Sequence, residues 1–403
     1  HRNFRLFLGG QFLSICGTWM QTVAHGWLVL TLTNSALAVG LVTAVGALPI
    51  LLFTLYGGVL ADRVDKHRLI LILQSLMLCE ALALGVLTAF HWVTVSWVVA
   101  LAIMFGLLTA FEVPTRQAFV MDLVGKDDLM NAIALNSSAF NVARVIGPAI
   151  AGTLIAAVGI AACFFANAIS YIAVIGGLLM MRMPAWTPAP AGERGPGEGL
   201  AEGFRYIRRE RWPRTLILLT ATLSVFGYSF ISMLPVYARD VVKVGPGGYA
   251  AMLSSFGAGA AAGALTVAAL GRRVRQGRAA VGGAGIFGAL LLASAFAPTL
   301  VSAMLLFMVA GCAMTVHGIT ANTLLQRQAP DKLRGRVMGF YSFVALGMAP
   351  FGSLQAGVVS ERFGVRASFA VGGVACVVAA GLVAWRALRS PGVFRASAPQ
   401  PYL

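Results

Sequence analysis

Long apolar stretches follow one another along almost the whole chain, and short polar segments separate them. Each stretch has close to or more than the roughly 20 apolar residues that an α-helix needs to cross a hydrocarbon core of about 30 Å. The strands of a membrane β-barrel are far shorter and alternate in polarity, so the pattern excludes a barrel. We predict transmembrane helices at residues 4–31, 36–61, 69–90, 93–111, 132–158, 160–181, 216–238, 249–270, 279–296, 300–320, 337–360 and 368–388.

The longest polar stretch, residues 182–215, divides these helices into two sets of six. It begins as a Pro- and Gly-rich linker, and residues 200–209 then predict an amphipathic helix with apolar positions 200, 204 and 207. An internal repeat supports the division, because Lys-Asp-Asp-Leu at 126–129 and Pro-Asp-Lys-Leu at 330–333 lie 204 residues apart. We predict an N-terminal half at 1–182, a cytoplasmic linker at 183–215, a C-terminal half at 216–390 and a cytoplasmic tail at 391–403.

Composition agrees with a chain that lies in lipid. Hydrophobic residues make up 59% and charged residues 11% of the 403 residues, and the mean hydropathy is +0.83. A soluble protein could not cover its surface at this composition, so the predicted fold class is an all-α integral membrane protein. No Walker-type phosphate loop is present, and we expect no metal and no cofactor. The five cysteines lack the paired spacing of metal or disulfide sites: Cys16, Cys79, Cys163, Cys312 and Cys376.

The 30 lysine and arginine residues are distributed unevenly between the two sides of the predicted helices. If both termini and the even-numbered loops share one side, that side carries 25 of them, and Arg144 lies inside a span. Because cytoplasmic loops are enriched in lysine and arginine, both termini are predicted to be cytoplasmic. The net charge of +16 does not indicate nucleic-acid binding, since no stretch predicts a folded basic domain. The opposite side carries only four, Arg239, Lys243, Arg362 and Arg366.

Residues 57–68 read Gly-Gly-Val-Leu-Ala-Asp-Arg-Val-Asp-Lys-His-Arg, which resembles the signature loop between helices 2 and 3 of the major facilitator superfamily. Asp65 replaces the usual small residue, as in the secretion-effector branch that contains enterobactin-exporter-like proteins. Residues 18–24, 114–118 and 134–152 are similar to the same branch. The resemblance implies twelve transmembrane helices in two pseudo-symmetric halves. It also implies proton-driven export of siderophores or other amphiphilic small molecules through a central cavity that opens alternately to each side.

Charged residues near this loop form a candidate conformational latch. An acid such as Asp62 can dock on the positive N-terminal end of a helix from the other half, near Arg336, and hold the cytoplasmic side shut. The alternative is a basic loop that only follows the orientation rule, although that rule requires cations and not an acid. The predicted latch consists of Gly58, Asp62, Arg63, Lys66, Arg68 and Arg116.

Three ionisable residues are candidates for proton coupling. Arg144 lies near the middle of a span, where a cation costs several kcal/mol unless it is paired or faces water. It is predicted to face the cavity or the interface between the halves, where it could attract an anionic substrate or lower the pKa of a nearby acid. The alternative is a structural pair with carbonyl groups and with Asn136 or Asn141. Glu80 is the carboxylate well inside the membrane, and its alternative is a merely hydrogen-bonded acid on the outside of the bundle. Glu112 competes with it, or forms an i, i+4 pair with Arg116.

Polar residues within the spans are candidates for lining a cavity. Gln21 and His25 are four residues apart and therefore share one face of their helix. Gly147, Pro148 and Gly152 are like the helix-5 antiporter motif of exporters, in which small residues permit close packing and a pliable helix. The predicted cavity residues are Trp19, Gln21, His25, Asn136, Asn141, Arg144, Tyr228, His317, Asn322, Tyr341 and Gln355.

The sequence therefore predicts a secondary active transporter in the bacterial inner membrane, a monomer that moves a small molecule with protons as the coupling ion. The alternative within this class is an importer or facilitator of a small organic solute. An integral-membrane enzyme would need clustered His, Asp or Glu residues near one membrane face, and the five histidines are scattered. A non-transporting receptor would not need Arg144 and Glu80 inside the membrane.

Overall fold

The computed structural model describes residues 1–183, 204–271, 274–330 and 333–389, which form α-helices joined by short turns. Of these helices, α2 to α12 are long and apolar enough to cross a membrane. The helices are α1 (Arg2–Thr33), α2 (Ala36–Arg63), α3 (Lys66–Ala89), α4 (Val95–Gly125), α5 (Asp127–Ala157), α6 (Ile160–Leu179), α7 (Arg211–Val242), α8 (Pro246–Leu270), α9 (Gln276–Ser294), α10 (Leu300–Gln328), α11 (Arg334–Phe363) and α12 (Val365–Arg389).

Helix α1 has 32 residues and is long enough to span, but it does not reach the hydropathy of the other eleven. Its polar residues include Gln11, Ser14 and Gln21, all of which are buried. Buried polar groups on a membrane helix face other helices, because lipid offers them no hydrogen bonds. The lower hydropathy of α1 therefore reflects polar residues that it carries into the interior.

Several helices are longer than the apolar stretches that predict them. Helix α4 continues to Gly125 and α10 to Gln328, whereas the apolar stretches end at 111 and 320. Hydropathy detects the part of a helix that lies in lipid and not its continuation into polar surroundings. In consequence, Glu112 and Arg116 lie within α4 and not in a loop after it.

The predicted loop at 57–68 is also mostly helical. Helix α2 extends to Arg63, and only Val64 and Asp65 separate it from α3. The Asp65 carboxylate accepts hydrogen bonds from the backbone N–H groups of His67 and Arg68, at 3.0 and 3.3 Å. An aspartate at this position therefore caps the N-terminus of α3.

The chain departs from regular α-geometry at the turn between α4 and α5 and within α7. Between α4 and α5, Gly125 has φ 74° and ψ −177°, a conformation that favours glycine, and the chain turns there without a longer loop. Helix α7 contains two π-helical segments, Leu223–Gly227 and Ala238–Val242. A π-segment accommodates one extra residue in a turn and often occurs near functional sites.

The helices form an N-terminal group (α1 to α6) and a C-terminal group (α7 to α12). In the first, α1 packs against α5 and α6, and α3 packs against α6. In the second, α10 packs against α8 and α9, and α9 packs against α12. An aromatic cluster fills the second group, in which the Phe230 ring lies 5.0, 5.4 and 6.1 Å from the rings of Phe256, Phe307 and Phe369.

The two groups meet where α2 crosses α11 and where α5 crosses α8. Both crossings depend on glycine. A Cβ atom on Gly40 would lie 2.8 Å from the Cα of Gly357, and a Cβ on Gly152 would lie 2.8 Å from the Cβ of Ala250. Small residues allow such close backbone contact, which drives helix association in a solvent that gives no hydrophobic effect between helices.

At one end of the molecule, polar contacts join the groups. The Glu361 carboxylate of α11 accepts hydrogen bonds from the Ser35 hydroxyl and the Leu37 backbone N–H, both at 3.0 Å, at the N-terminus of α2. The Arg239 guanidinium of α7 donates to the Asn34 side chain. We name Asn34, Ser35, Arg239 and Glu361 the clamp, and its end of the molecule the clamped end.

The opposite end has ion pairs within the N-terminal group. Lys66 pairs with Asp122 and His1 with Asp128, each at 2.8 Å. The Asp62 side chain is exposed and forms no hydrogen bond or ion pair with the described part of the chain. The predicted contact of Asp62 with the other half is therefore not made in this conformation.

Some predicted segments lie wholly or partly outside the described residues. Most of the linker, residues 184–203, and the tail at 391–403 lie outside them. Of the predicted amphipathic helix, residues 204–209 are described and are helical. Ile207 of this segment is buried in one cluster with Trp212 and Leu216.

We expect Gly40→Leu to lower the melting temperature of the purified protein in detergent by roughly 3 °C or more. The new side chain would collide with the α11 backbone at Ser353 and Gly357. Thermal unfolding followed by intrinsic fluorescence measures the effect. Gly176→Leu is the control, because a Cβ on Gly176 meets no atom within 4 Å. Equal melting temperatures for both variants would contradict the role given to the crossing.

Candidate functional site: a cavity between the two helix groups

A cavity of about 280 Å³ lies at the interface of the two groups. Helices α1 to α4 line it from one side, and α7, α8 and α11 line it from the other. Four residues predicted from the sequence border it, namely Gln21, His25, Glu80 and Tyr228. Its remaining polar lining consists of Thr18, Thr22, Thr43, Ser232, Tyr249 and Ser353.

An aromatic pair contains Tyr249, which borders the cavity. The rings of Trp27 and Tyr249 stack with centroids 6.4 Å apart and an interplanar angle of 20°. Trp27 belongs to α1 and Tyr249 to α8, so the pair joins the two groups.

Glu80 is held by a chain of side-chain hydrogen bonds through three helices. The Gln21 Nε2 atom of α1 donates to both carboxylate oxygens of Glu80 in α3, at 2.9 and 3.1 Å. The Asn167 Nδ2 atom of α6 donates to Gln21 Oε1 at 2.7 Å, and Ser170 donates to Asn167. Every side-chain oxygen of Gln21 and Glu80 is thereby satisfied, as a buried polar group requires.

Glu80 is 1% exposed and still borders the cavity. The alternative of a hydrogen-bonded acid on the outside of the bundle holds for the hydrogen bonds but not for the position, because the side chain is buried against Gln21. A carboxyl group in this position can hold or release a proton next to the cavity. Rotation of the Gln21 amide exchanges its donor for its acceptor, so the same pair can bond either form of the acid.

His25 provides a second polar group on the same face of α1. Its Nε2 atom is buried and has no hydrogen-bond partner in the described part of the chain. An unsatisfied imidazole nitrogen inside a protein is costly unless a ligand or water meets it. His25 borders the cavity, whereas its unpartnered Nε2 atom is itself buried in this conformation.

Glu112 has a different environment from Glu80. Its Oε1 atom accepts from Arg116 Nε at 2.8 Å and from Gln74 Nε2 at 3.4 Å. The side chain is 7% exposed, so this i, i+4 pair is buried and not a surface pair. Glu112 is not among the residues that border the cavity, and its charge is neutralised within α4.

Arg144 lies between the two groups and outside the cavity lining. Its guanidinium is 4.8 Å from the centre of the Phe256 ring in α8 and 5.8 Å from that of Trp19 in α1. The predicted pairing with asparagine is wrong, because Asn141 donates instead to the Ser137 carbonyl at 2.9 Å, and Asn136 makes no described bond to Arg144. Arg144 joins the groups through cation–π contacts.

The other predicted cavity residues do not border the described cavity. Both ring nitrogens of His317 are occupied, by the Ala280 carbonyl at 2.8 Å and the Thr220 hydroxyl at 3.5 Å. The Tyr341 hydroxyl donates to the Gly318 carbonyl at 3.4 Å. These two residues serve packing within the C-terminal group. Two more lie outside the lining in the same way, Asn322, which accepts from Gln326, and Gln355 of α11.

The residues of the predicted helix-5 motif lie where α5 packs against α1 and against α8. A Cβ on Gly147 would lie 2.6 Å from the Trp19 Cβ, so α5 approaches α1 there. Gly152 meets Gly247 and Ala250 of α8, across the group boundary. Pro148 lies between them and is buried. The small residues thus permit close packing on both sides of α5.

Sequence reasoning missed several residues of the site. Asn167 has a detectable signal, because an asparagine within the apolar stretch 160–181 must find a partner inside the protein. Of the two glycines in the signature segment, Gly57 packs against another helix, because a Cβ atom there would collide with α4. A Cβ atom on Gly58 would meet no atom within 4 Å. Thr18, Ser232 and Ser353 give little signal, because hydroxyl groups in helices commonly bond their own backbone.

The two groups of described helices, with a largely apolar cavity between them and the α2–α11 and α5–α8 crossings joining them, have the arrangement of a membrane transporter of the major facilitator superfamily. A family model described as "transmembrane secretion effector" matches residues 1–398, and the chain belongs to this family. It is therefore a multi-pass membrane transporter of small molecules and not an enzyme.

Curated relatives match along most of their length. The "Staphyloferrin A transporter" of Staphylococcus aureus is 27% identical over 375 residues, which cover 93% of each chain. The "Multidrug efflux pump Tap" of Mycolicibacterium fortuitum is 26% identical over 375 residues, or 90% of each chain. The "Enterobactin exporter EntS" of Escherichia coli is 26% identical over 364 residues, covering 88% of this chain and 86% of that protein.

Solved structures share the fold. A bacterial homologue of the human lysosomal transporter Spinster, in an inward-facing and unoccupied conformation, aligns with a TM-score of 0.78. The alignment covers 99% of this chain and 98% of that one at 15% sequence identity. The likeness concerns the arrangement of helices alone.

We expect Gln21→Leu to destabilise the protein by about 1–3 kcal/mol, because the Glu80 carboxylate loses its donor while it stays buried. Thermal unfolding of the purified protein measures the loss. Gln11→Leu is the control, since Gln11 is a buried glutamine of the same helix whose Oε1 atom has no described partner. The double variant Gln21→Leu with Glu80→Leu should recover part of the stability, and additive losses would contradict the proposed coupling.

Proposed function

We propose that this chain is a secondary active transporter that exports a siderophore or an amphiphilic drug-like molecule in exchange for protons. The observation that carries this proposal is the position of Glu80, a buried carboxyl group that borders the cavity between the two helix groups. A carboxyl group inside the membrane is costly and is a proton-site candidate by default. Export is favoured over import because two relatives are named an exporter and an efflux pump.

The proposed topology has twelve transmembrane helices, with both termini in the cytoplasm of a bacterial cell. The inner membrane is the proposed location and a monomer the proposed state. Residues 1–182 and 216–390 are the two bodies that move against each other, and residues 183–215 connect them on the cytoplasmic side. The asymmetric distribution of lysine and arginine supports this orientation.

With this orientation, the clamped end faces away from the cytoplasm, and the conformation described above is inward-facing. The proposed transport cycle alternates this state with one in which the clamp and the Trp27–Tyr249 pair separate and the cytoplasmic end closes. The exposed Asp62 is the proposed partner for the N-terminal end of α11 in that second state. The positive end of a helix dipole favours such an acid.

The function is tested by accumulation of fluorescent drugs and iron-chelating siderophores in cells with and without the protein, each with an uncoupler control. Lower accumulation of a compound, restored by the uncoupler, is the result that the proposal expects. Accumulation that rises with the protein would identify an importer instead. Import or facilitated diffusion of a small organic solute is the second candidate, because the same fold supports both directions.

We expect Glu80→Gln to abolish uncoupler-sensitive transport while it leaves the fold intact, because glutamine keeps the size of the side chain and one oxygen that can accept from Gln21, but cannot exchange a proton. Proton-driven uptake into inverted vesicles, with an imposed pH gradient, measures coupling. Glu112→Gln is the matched control, since its carboxylate is paired with Arg116 and lies outside the cavity lining. Unchanged coupling in Glu80→Gln would remove Glu80 from the proposed mechanism.

We expect Asp62→Asn to slow transport roughly tenfold without lowering the melting temperature of the inward-facing state, in which Asp62 makes no described contact. The missing charge weakens only the state that closes the cytoplasmic end. Transport rate and thermal unfolding are measured on the same preparation. Asp128→Asn is the control at the same end, since Asp128 pairs with His1 within the N-terminal group. A lower melting temperature with unchanged transport would contradict the latch.

A further inference from the structure

The cavity contains few charged residues, although relatives of the chain include siderophore transporters. Glu80 is the only carboxylate among the described residues that border it, and none of those residues is a lysine or an arginine. His25 offers a ring nitrogen that is buried and unpartnered. The remaining polar lining is made of hydroxyl groups and the Gln21 amide, and the other residues are apolar or aromatic.

Arg144, the arginine that lies within a membrane helix, is not among the residues that border the cavity. Arg144 points between Phe256 and Trp19, with its guanidinium 4.8 and 5.8 Å from the two ring centres. It contacts these two aromatic rings and does not border the cavity. Arg116 is partly buried and is paired with Glu112 at 2.8 Å. Neither arginine can neutralise an anion in the cavity.

We infer that the cavity selects amphipathic organic cations, with a single positive charge placed at Glu80, and rejects polyanions. This inference rests on the proposed function, for which it names the substrate class. A buried carboxylate binds a cation favourably when few other charges compete, and it repels a second anion at low dielectric. A polyanionic iron chelator would have to lose its hydration in a site without a cationic partner.

The shape and lining of the site agree with one compact, partly aromatic cation. Its volume of about 280 Å³ is at the low end for small-molecule sites. Tyr228 and Tyr249 border it from the C-terminal group and Phe105 from the N-terminal group. Aromatic faces attract organic cations through their quadrupole, and they also pack against apolar groups. Glu80 lies on the opposite wall from Tyr228, so a bound cation can contact both helix groups.

Tetraphenylphosphonium and tetraphenylborate test the charge preference directly, because the two ions have nearly the same size and shape and opposite charge. Binding of each radiolabelled ion to the purified full chain is measured by equilibrium dialysis in a nonionic detergent, with protein-free micelles subtracted. We expect the cation to bind at least roughly tenfold more tightly than the anion. Equal binding, or tighter binding of the borate, would overturn the inference.

Variants assign the preference to Glu80. Glu80→Gln is expected to reduce the affinity for tetraphenylphosphonium roughly tenfold and to bring the two ions close to parity, whereas Glu80→Asp keeps the preference. Glu112→Gln is the matched control and should leave both affinities unchanged, because Glu112 lies outside the cavity lining. Thermal unfolding confirms that each variant is folded before binding is measured. A preference that persists in a folded Glu80→Gln variant would contradict the assignment.

Transport in inverted vesicles separates failure of this inference from failure of the proposed function. Proton-driven movement of an anionic siderophore, with no movement of organic cations, would overturn the charge preference and leave the exporter standing. Preferred binding of tetraphenylphosphonium without any energised transport would support the charge preference and contradict the proposed export. Uncoupler-sensitive movement of the cation, lost in Glu80→Gln, is the result that both expect.

Discussion

Lipid offers no hydrogen bonds, and this constraint governs the whole molecule. Each polar side chain inside the membrane has to find its partner within the protein or leave an atom unsatisfied. The chain from Glu80 through Gln21 and Asn167 to Ser170 meets the requirement with four side chains on three helices. The same requirement fixes the position of α1, since its polar face can only point inward. The cavity exists where that face meets the C-terminal group and some polar atoms stay unpartnered.

The two helix groups are held together by contacts that can be separated. Glycine at the α2–α11 and α5–α8 crossings brings backbones together without interlocking side chains. The clamp adds hydrogen bonds at one end, and Arg144 adds aromatic contacts at the boundary. Interactions of this kind are individually weak and short in range. A conformational change can therefore exchange one set for another while the aromatic cluster around Phe230 keeps the C-terminal group intact.

Sequence reasoning identified the membrane class, the order of the helices and the family, because length and hydropathy are read directly from residue types. It also identified Gln21, His25 and Glu80, which now border one cavity. It also included His317 as a weaker cavity candidate, and this residue does not border the cavity. Membrane helices are apolar on the lipid side and on the packed side alike, so hydropathy does not reveal which way a residue points. Arg144 was expected at the cavity or at the interface between the halves, and it lies at the interface, where its aromatic partner Phe256 comes from the other helix group.

The π-segment Leu223–Gly227 ends immediately before Tyr228, which is a wall of the cavity. Successive residues of an α-helix are about 100° apart around the axis. If the π-helical turn moved by one residue along α7, each side chain that it crossed would rotate around the helix axis by about 100°, and the helix would stay continuous. Tyr228 would then leave the cavity by rotation and not by translation. Rotation of α7 side chains would then change the shape of the cavity without any separation of the two helix groups.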